Sequence, residues 1–517
     1  MLAKIFGSTV YGVNAYSITI EVNVVQGTKF FIVGLPDNAV KESAHRVESS
    51  IKSLGYTMPR TKVVVNLAPA DIKKEGTAYD LPIALGVICA SDQVNFQHLD
   101  EYVIMGELSL DGSLRPIKGV LPIAIEAKKQ GFKGFVLPKE NEDEAAIVEG
   151  LDIIGVEHIQ EAIDFFSGKQ KRTPYVKKTD GARVLTPYHF EADFANVQGQ
   201  ENIKRALEIA AAGGHNVIMI GPPGAGKTML AKRLPSILPP LSLHEALETT
   251  KIHSVAGKLS KASSLISSRP YRSPHHTISD VALVGGGGIP QPGEISLAHN
   301  GVLFLDELPE FKRTVLEVMR QPLEERKVAI SRAKISVEFP ANFMLIASMN
   351  PCPCGYYNHP EKQCVCAPGV VQRYLNKVSG PLLDRIDLHV EVTPVSFDQM
   401  TENRKAESSE TIRKRVMKAR SIQAIRFRNM NEQNNQHIYS NSMMEPQMVK
   451  EICTINDSGR TLLKTAMEKL GLSARAYDRI LKVSRTIADL AGSEDIEIEH
   501  LAEAIQYRSL DREGWAG

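Results

Sequence analysis

Eight consecutive residues near the middle of the chain have the types and the spacing of a phosphate-binding loop. The run is Gly221, Pro222, Pro223, Gly224, Ala225, Gly226, Lys227 and Thr228, which fits the pattern G-x-x-x-x-G-K-[ST]. Glycines allow backbone N–H groups to point at one anion, and the N-terminus of a following helix favours that anion as well. In such a loop the Lys227 ammonium contacts the β and γ phosphates, and the Thr228 hydroxyl holds Mg²⁺. The pattern therefore predicts a site for ATP and Mg²⁺.

The segments around this loop match the elements that the motif needs. The apolar run 216–220 predicts a buried strand before the loop, and residues 229–234 predict a helix after it. A second apolar run, 302–305, ends in the carboxylates Asp306 and Glu307. If this strand lies beside the loop, Asp306 would join the Mg²⁺ shell and Glu307 would act as general base on the attacking water. The alternative is a charge pair at a helix N-terminus after a core strand.

A polar residue follows a third apolar run. Residues 343–348 predict another strand, and Asn350 comes two positions after it. An amide at that position would orient the hydrolytic water or sense the γ phosphate.

Four of the six cysteines lie in the short segment 352–366. They are Cys352, Cys354, Cys364 and Cys366, in two C-x-C pairs. In a reducing compartment this pattern favours a structural Zn²⁺ bound by four thiolates, with His359 as a substitute ligand. Free thiols and a redox switch are the alternatives. Cys89 and Cys453 stand alone in apolar helical patterns, so we expect them to be buried as small hydrophobic residues.

The composition is that of an ordinary globular protein. Of the 517 residues, 43% are hydrophobic and 23% are charged, and the net charge is +1. No apolar stretch approaches the roughly 20 residues that span a bilayer, and no secretory signal pattern opens the chain. We therefore expect a cytoplasmic protein without a membrane partner. The net charge gives no global signal for nucleic acid, so any basic surface must be local.

One local group of basic residues lies between the Asp306 and Asn350 strands. It consists of Arg326, Lys327, Arg332 and Lys334, in a segment with a β-strand pattern. Basic side chains of this kind track the phosphates of DNA. The alternative is a solvated, charged hairpin without a binding role.

The pattern divides the chain into four parts. Residues 1–168 alternate between strand-like and helix-like stretches, and residues 169–188 have the Lys, Arg, Thr, Gly and Pro content of a linker. Residues 189–395 alternate strand and helix around the phosphate loop and predict a parallel nucleotide-binding sheet. Residues 396–517 are expected to be helical.

The order of these motifs resembles that of the AAA+ ATPase superfamily. By this resemblance Val197 and Gln198 precede the first helix where the superfamily cradles adenine, and Asn350 takes the sensor-1 position. Arg475, in the run 471–475, takes the sensor-2 position. From the residues alone, the alternative for Arg475 is an ordinary exposed helix arginine.

A further run, 380–387, resembles the arginine-finger segment of the magnesium-chelatase and MCM branch of that superfamily. The resemblance implies that Arg385 reaches the γ phosphate bound by a neighbouring subunit. A site shared between subunits implies a homo-oligomeric ring, and a hexamer in particular. The alternative for Arg385, which is flanked by two aspartates, is a surface ion pair.

Three stretches, 271–277, 285–294 and 350–355, indicate one family within this superfamily. Together with the N-terminal block they resemble the magnesium-chelatase-like AAA+ ATPases of the ComM/YifB family over essentially the whole chain. This resemblance implies a hexameric, ATP-driven helicase or translocase on single-stranded or branched DNA, which extends heteroduplex by branch migration in recombination or natural transformation. MCM-type helicases place a pore hairpin at the basic segment, with Arg332 at its basic position.

Residues 62–137 resemble the proteolytic domain of Lon, which uses a Ser–Lys dyad. Ala78 occupies the nucleophile position and has no hydroxyl, and Leu121 falls where the lysine would be, although Lys118 is nearby. We therefore expect a non-catalytic platform and no protease activity. The expected fold is α/β: an AAA+ P-loop ATPase core with a C-terminal helical lid, preceded by a Lon-protease-like (ribosomal S5 domain 2-like) α+β domain.

Two other functions compete with a DNA motor. The first is a chelatase-like or chaperone-like ATPase that remodels a protein partner, because the AAA+ core is common to such proteins and the chain is not basic overall. The second is an ATP-dependent protease, and the missing Ser–Lys dyad argues against it.

Overall fold

The computed structural model describes residues 2–176, 192–259, 265–287, 290–332, 335–357, 359, 361–395, 406–434 and 438–508. The chain forms two compact units. The first contains Met1–Thr186 and Leu243–Ile266, and the second contains Pro187–Ser242 and Ser267–Gly517. Residues 177–188 of the expected linker and residues 396–405 and 509–517 of the expected helical region lie outside the described residues.

The first unit contains a seven-stranded mixed sheet. The strands of this unit are β1 (Leu2–Tyr11), β2 (Asn14–Val25), β3 (Phe30–Val33), β4 (Lys62–Ala68), β5 (Tyr102–Ile104), β6 (Glu107–Leu108), β7 (Leu114–Arg115), β8 (Gly134–Pro138) and β9 (Asp152–Val156). The sheet order is β3-β4-β2-β1-β5-β8-β9, and β6 pairs with β7 separately. The contacts of β2 with β1 and β4 are antiparallel, whereas the other pairs in the sheet are parallel.

Helices cover this sheet and supply the rest of its core. They are α1 (Asn38–Ser53), α2 (Asp80–Ala90), α3 (Val120–Lys129), α4 (Glu142–Ala145), α5 (Ile159–Phe166) and, from later in the chain, α8 (Leu243–Val255). Alternate β2 residues Ile18, Ile20 and Val22 are fully buried, as the two-residue period of a strand requires. Helix α2 is apolar nearly all round, which explains why almost every one of its residues is buried.

Helix α8 comes from a segment that follows the phosphate loop in sequence but belongs to the first unit. The Ser254 carbonyl accepts a hydrogen bond from the Gly119 N–H at 3.3 Å, and the Ser254 hydroxyl donates to Glu144 Oε1 at 2.5 Å. The expected ATPase region, 189–395, includes this segment in its sequence range. The expected boundaries near residues 168, 188 and 395 stay predictions.

The second unit contains a five-stranded parallel sheet. The strands of this unit are β10 (Val217–Ile220), β11 (Tyr271–Arg272), β12 (Gly285–Gly286), β13 (Gln291–Pro292), β14 (Val302–Leu305), β15 (Lys327–Arg332), β16 (Ile335–Pro340), β17 (Met344–Met349) and β18 (Leu388–Glu391). The order β11-β14-β17-β10-β18 places β10 beside β17 and β18, and places β14 on the other side of β17. Every residue of β10, β14 and β17 is buried, as in a sheet covered on both faces.

The helices of the second unit are α6 (Glu201–Gly213), α7 (Lys227–Arg233), α9 (Asp280–Val284), α10 (Glu294–Leu297), α11 (Arg313–Glu317), α12 (Arg320–Glu325), α13 (Pro368–Leu375), α14 (Gly380–Leu383), α15 (Ser409–Asn434), α16 (Pro446–Ile452), α17 (Asp457–Leu470), α18 (Ala474–Ala491) and α19 (Ile498–Gln506). The last five of them form the expected helical region. A buried ion pair joins two of these helices, because Arg426 of α15 donates to Asp489 of α18 at 2.9 Å.

Strand β15 pairs with β16 in an antiparallel hairpin between β14 and β17 in sequence. The register places Lys327 opposite Pro340 at the base and Arg332 opposite Ile335 at the turn end. Residues 333 and 334 lie outside the described residues. Among the helices of the described ranges, none has the length and apolarity needed to cross a bilayer.

The expected α/β fold with a parallel nucleotide-binding sheet and a helical C-terminal region is confirmed. The strands predicted over 216–220 and 343–348 occur as Val217–Ile220 and Met344–Met349. Because parallel strands point the same way, β10, β14 and β17 end at one edge of the sheet.

A buried carboxylate joins this sheet to helix α18. Asp387 accepts from the Asn216 backbone N–H at 2.8 Å and from Arg479 Nη1 at 3.0 Å, and it is 1% exposed. Burial acts to raise the pKa of Asp387, but Arg479, His215 and the Asn216 N–H outweigh burial and hold that pKa well below its ordinary value. The ionised form of Asp387 therefore contributes to stability.

We predict that Asp387→Asn lowers the free energy of unfolding by about 3 kcal/mol, because it leaves the half-buried Arg479 charge without its counter-ion. Since the folded pKa is depressed, this contribution is present above the ordinary aspartate value of about 4 and declines as the pH falls below it. Denaturant unfolding followed by circular dichroism measures the effect. Asp457→Asn is the control, because the Asp457 side chain is 98% exposed. Equal stability of the two variants would contradict the assignment.

Candidate nucleotide-binding site and cysteine cluster

The loop between β10 and α7 has the backbone conformation that its glycines predict. Gly224 and Gly226 have φ values of +82° and +85°, in the left-handed region that favours glycine. A Cβ at Gly221 would lie 2.2 Å from the Val392 carbonyl oxygen, so the start of the loop has no room for a side chain. This geometry leaves the N-terminus of α7 facing the loop, as an anion site requires.

Lys227 is the first residue of α7, and its side chain is folded back over the loop. Its Nζ donates to the Gly221 carbonyl at 2.6 Å, the Pro222 carbonyl at 2.9 Å and Asn350 Oδ1 at 3.1 Å. Burial lowers the pKa of Lys227, although the nearby Asp306 and Glu307 carboxylates oppose this shift. These neutral oxygen partners hold a buried cation that a phosphate would neutralise.

Asp306 and Thr228 form the expected magnesium position. Thr228 Oγ1 donates to Asp306 Oδ2 at 2.7 Å, across the edge where β14 ends beside the loop. The Ser348 hydroxyl of β17 donates to the other oxygen of Asp306. A hydroxyl and a carboxylate are the hard oxygen ligands that Mg²⁺ prefers, so these residues fit the ion that the sequence predicts.

Glu307 is placed differently from Asp306. Its φ of +53° is uncommon for a residue with a side chain, and strain of this kind clusters at functional sites. Its backbone N–H donates to Asp306 Oδ1 at 3.1 Å, whereas its side chain is 58% exposed. His276 Nδ1 lies 3.8 Å from Glu307 Oε2. The carboxylate is therefore accessible to solvent, and its role as general base stays a prediction.

The expected adenine-binding residues belong to a segment that contacts the phosphate loop. Val197 is buried, and the adjacent segment ends at Gln200, whose φ is +59°. Gln200 Nε2 donates to the Ala225 carbonyl at 2.8 Å, so this segment touches the phosphate loop. Gln198 is half-buried beside Val197.

The two arginines predicted to act at the γ phosphate meet at another carboxylate. Arg385 Nη2 lies 2.7 Å from Glu324 Oε1, and Arg475 Nε lies 4.0 Å from the same oxygen. The Arg385 side chain is 9% exposed, whereas that of Arg475 is 56% exposed. The structure thus brings the two arginines together at Glu324. Their roles as finger and sensor stay predictions.

Of the four expected DNA-binding residues, the structure describes the side chains of Arg326 and Lys327. Arg326 donates to Asn342 Oδ1 at 2.5 Å and to Ser442 Oγ at 3.2 Å, and burial lowers its pKa to about 10. Lys327 is exposed at the hairpin base and pairs with Glu338 at 3.1 Å. Arg332 is described as backbone alone, at the turn end, and Lys334 lies outside the described residues. The Arg326 guanidinium is thus engaged in internal packing rather than in an exposed basic surface.

The four clustered cysteines converge on one point. Their sulfur atoms all lie within 4.8 Å of one another, and Cys352, Cys354 and Cys364 have Sγ–Sγ distances of 3.3, 3.5 and 3.7 Å. Four thiolates at about 2.3 Å from a tetrahedral zinc would be about 3.8 Å apart. This set could bind a metal ion. The expected substitute ligand His359 is not part of this set, and its Nδ1 accepts from the Glu361 and Lys362 N–H groups at 3.0 Å each.

Backbone groups support the thiolate form of Cys354 alone. Burial acts to raise the pKa of Cys354, but the Tyr356 and Val365 N–H groups and the Cys352 thiol outweigh it and lower that pKa. For Cys364 and Cys366 a backbone N–H acts to lower the pKa, but burial and the Cys352 and Cys354 sulfur atoms outweigh it and raise the pKa of both thiols. Of the other two cysteines, Cys453 is buried as expected and Cys89 is half-buried.

The residues at the positions that correspond to the Lon Ser–Lys dyad pack against neighbouring residues. The Ala78 carbonyl accepts from the Gly106 N–H at 2.7 Å, and Leu121 is fully buried. The Lys118 side chain lies against Gly257, where an added Cβ would come within 2.7 Å of Lys118 Cε. This arrangement places no hydroxyl at position 78 for a Ser–Lys reaction.

Sequence reasoning missed three residues of the nucleotide site. Ser348 supports Asp306, Gln200 touches the phosphate loop, and His276 lies beside Glu307. The one available signal was the polar Ser348 near the end of a buried apolar strand, since an unpaired hydroxyl there is costly.

Three family models match the chain. The model described as "Magnesium chelatase, subunit ChlI" matches residues 193–400, "Subunit ChlI of Mg-chelatase" matches 20–141, and "Magnesium chelatase, subunit ChlI C-terminal" matches 406–508.

Curated relatives extend the similarity to nearly the full length. The chain is 45% identical to "Uncharacterized protein YifB" of Escherichia coli, over 97% of this chain and 96% of that protein. It is 43% identical to "Competence protein ComM" of Haemophilus influenzae, over 99% and 98% of the two chains. A partial match, 32% identical over 31% of this chain and 33% of the relative, is to "Lon protease 2" of Bacillus subtilis.

We predict that Glu307→Gln still binds ATP but hydrolyses it at least about 100-fold more slowly, because the amide cannot accept the proton from water. Nucleotide binding and phosphate release are measured separately on the same preparation. Glu310→Gln is the matched control, since Glu310 contacts Lys377 at 3.4 Å and takes no part in the cluster. Undiminished hydrolysis by Glu307→Gln would remove this residue from the base role.

We also predict that Ser348→Ala raises the Mg²⁺ concentration needed for half-maximal hydrolysis by about tenfold. The substitution removes one of the three groups that donate to Asp306 and leaves the Thr228 hydroxyl and the Glu307 N–H, a loss of roughly 1–2 kcal/mol in orienting the carboxylate. A magnesium titration at saturating ATP measures the change. Ser331→Ala on the β15–β16 hairpin serves as control, and an unchanged magnesium requirement in Ser348→Ala would contradict the assignment.

Proposed function

Because this chain belongs to the magnesium-chelatase-like ComM/YifB family of AAA+ ATPases, we propose that it is an ATP-driven motor that acts on DNA. The activity that fits best is that of a branch-migration helicase or translocase on single-stranded or branched DNA in homologous recombination or natural transformation. Similarity to a competence protein over nearly the whole chain supports this proposed activity.

The nucleotide site is the observation that carries the proposal. Lys227, Thr228, Asp306 and Asn350 converge at one sheet edge, with Glu307 next to them. The buried Lys227 cation would bind the β and γ phosphates, while Thr228 and Asp306 would hold Mg²⁺ and Glu307 would accept a proton from the attacking water. Mg²⁺ supplies charge neutralisation at the phosphates when it is bound.

The β15–β16 hairpin is the proposed DNA contact. Its register pairs Arg332 with Ile335 at the end of the hairpin farthest from Lys327, and Lys334 follows Arg332 by two positions in the sequence. Lys327 has Glu338 as its partner, which reduces its net charge toward a phosphate. We therefore assign the DNA contact to Arg332 and Lys334. Arg326 and Lys327 lie at the base of the hairpin with partners in the same chain, and we do not assign them to the DNA contact.

A ring of identical chains would complete the site. Arg385 and Arg475 share the Glu324 carboxylate, whereas Lys227 has neutral partners at its own loop. We propose that a neighbouring subunit presents its nucleotide to this arginine pair. The two arginines would then give up their contact with Glu324 and bind the γ phosphate instead. The resemblance to the magnesium-chelatase and MCM branch favours a hexamer.

The cofactors of the proposed motor are ATP with Mg²⁺, together with Zn²⁺ in the cysteine cluster. Four convergent sulfur atoms are the donor set of a closed structural zinc site rather than of a magnesium or calcium site.

A protein-remodelling ATPase, of chelatase or chaperone type, is the second candidate. The three matching family models describe a magnesium-chelatase subunit, which favours this class. A protease is not proposed, since Ala78 lacks a nucleophile and the similarity to Lon covers 31% of the chain.

We predict that Arg332→Ala with Lys334→Ala reduces DNA-stimulated ATP hydrolysis by about tenfold or more and leaves the rate without DNA largely unchanged. The substitutions remove phosphate contacts, so the salt dependence of DNA binding should also become less steep. Lys327→Ala is the matched control and should retain stimulation. Equal loss of stimulated and basal rates, or loss of neither, would contradict the hairpin assignment.

A further inference from the structure

The segment that carries the cysteines packs directly against the phosphate loop. Gly355 follows Cys354 and has a φ of +84°, and a Cβ at this position would lie 2.4 Å from Pro223 Cδ. The backbone of the cysteine segment therefore approaches the phosphate loop more closely than any side chain at position 355 would allow.

Two further contacts join the same segments. The Gly221 N–H donates to the Met349 carbonyl at 3.2 Å, and Asn350 Oδ1 accepts from Lys227 Nζ at 3.1 Å. Tyr357 and His359 line one small cavity, of about 40 Å³, together with Gly221 and Pro222. Residues 349–359 thus contact the loop at its first glycine, its prolines and its lysine.

The cysteine segment depends on short-range contacts for its shape, among them the hydrogen bonds from the Glu361 and Lys362 N–H groups to His359 Nδ1. Its described residues, 351–357, 359 and 361–366, form neither helix nor strand, and Val365 is 85% exposed. Two turn hydrogen bonds, from the Gly355 N–H to the Cys352 carbonyl at 3.0 Å and from the His359 N–H to the Tyr356 carbonyl at 3.1 Å, supply local order. A cross-link through the four sulfur atoms would fix the two ends of the segment relative to each other.

We propose that Zn²⁺ bound by Cys352, Cys354, Cys364 and Cys366 clamps this segment against the phosphate loop, so that metal occupancy sets the affinity for nucleotide. The four thiols release their protons as the four Zn–S bonds form, and no oxidant or reductant is needed. The clamp holds Pro223 and Asn350 in place before the phosphates arrive, which lowers the ordering cost of nucleotide binding. This inference deepens the proposed nucleotide function and rests on it.

The first test measures zinc and nucleotide binding on one preparation of the full chain. We expect a single zinc ion per chain by elemental analysis. Removal of zinc with a thiol-reactive mercurial followed by a chelator, and reduction of the thiols, should weaken binding of a fluorescent ATP analogue by about tenfold, and added Zn²⁺ should restore it. Circular dichroism checks that the stripped chain stays folded. Absence of bound zinc after incubation with Zn²⁺, or full nucleotide affinity in the stripped chain, would overturn the proposal.

A second test separates the clamp from the metal. Gly355→Ala keeps all four cysteines but places a Cβ against Pro223 at a left-handed φ, so it should retain zinc and weaken nucleotide binding by about tenfold. Gly369→Ala is the matched control, because a Cβ there meets no atom within 4 Å. Zinc retained with normal nucleotide affinity in Gly355→Ala would overturn the clamp, as would the same loss in both variants.

The outcomes distinguish this inference from the proposed motor. Zinc-dependent nucleotide binding without any response of ATP hydrolysis to DNA would contradict the DNA motor and support the clamp. DNA-stimulated hydrolysis that is unchanged by removal of zinc would support the motor and overturn the clamp.

Discussion

The hydrogen bond between Thr228 and Asp306 is possible because strands β10, β14 and β17 are parallel and end at one edge of a buried sheet. Thr228 belongs to the helix after β10, and Asp306 is the first residue after β14. The register between β14 and β17 then brings Ser348 to the same carboxylate. A strand shifted by one residue would turn these side chains to the other face of the sheet and dismantle the magnesium position.

Electrostatics explain why this edge suits a triphosphate. Lys227 is buried, its hydrogen-bond partners are uncharged, and burial lowers its pKa because it disfavours the charged ammonium. An anionic ligand at the loop would stabilise that charged form. Arg385, by contrast, forms an ion pair with the Glu324 carboxylate. The proposed ring would exchange that carboxylate for a phosphate of the adjacent site, which makes the energetic cost of assembly depend on nucleotide. The cysteine segment adds a mechanical constraint on the same loop through Gly355.

The sequence predicts the parts of this site that are encoded locally. Phosphate-loop glycines, a carboxylate after a buried strand and an amide after the next strand have fixed positions in a short pattern, and the structure places Lys227, Asp306 and Asn350 together. Contacts between segments that are distant in the sequence could not be predicted from the sequence. Glu324 meets two arginines from distant segments, and helix α8 joins the first unit although it follows the phosphate loop. Neither leaves a periodic or compositional signal in the chain.

The most direct test of the central claim is the rate of ATP hydrolysis by the purified chain, alone and with single-stranded, duplex and branched DNA, at low and physiological salt. The account predicts several-fold stimulation by DNA, strongest with single-stranded or branched DNA and weaker at higher salt, and its complete loss in Lys227→Ala. The same rate with and without every DNA at both salt concentrations would contradict a DNA motor and favour an ATPase that acts on a protein partner.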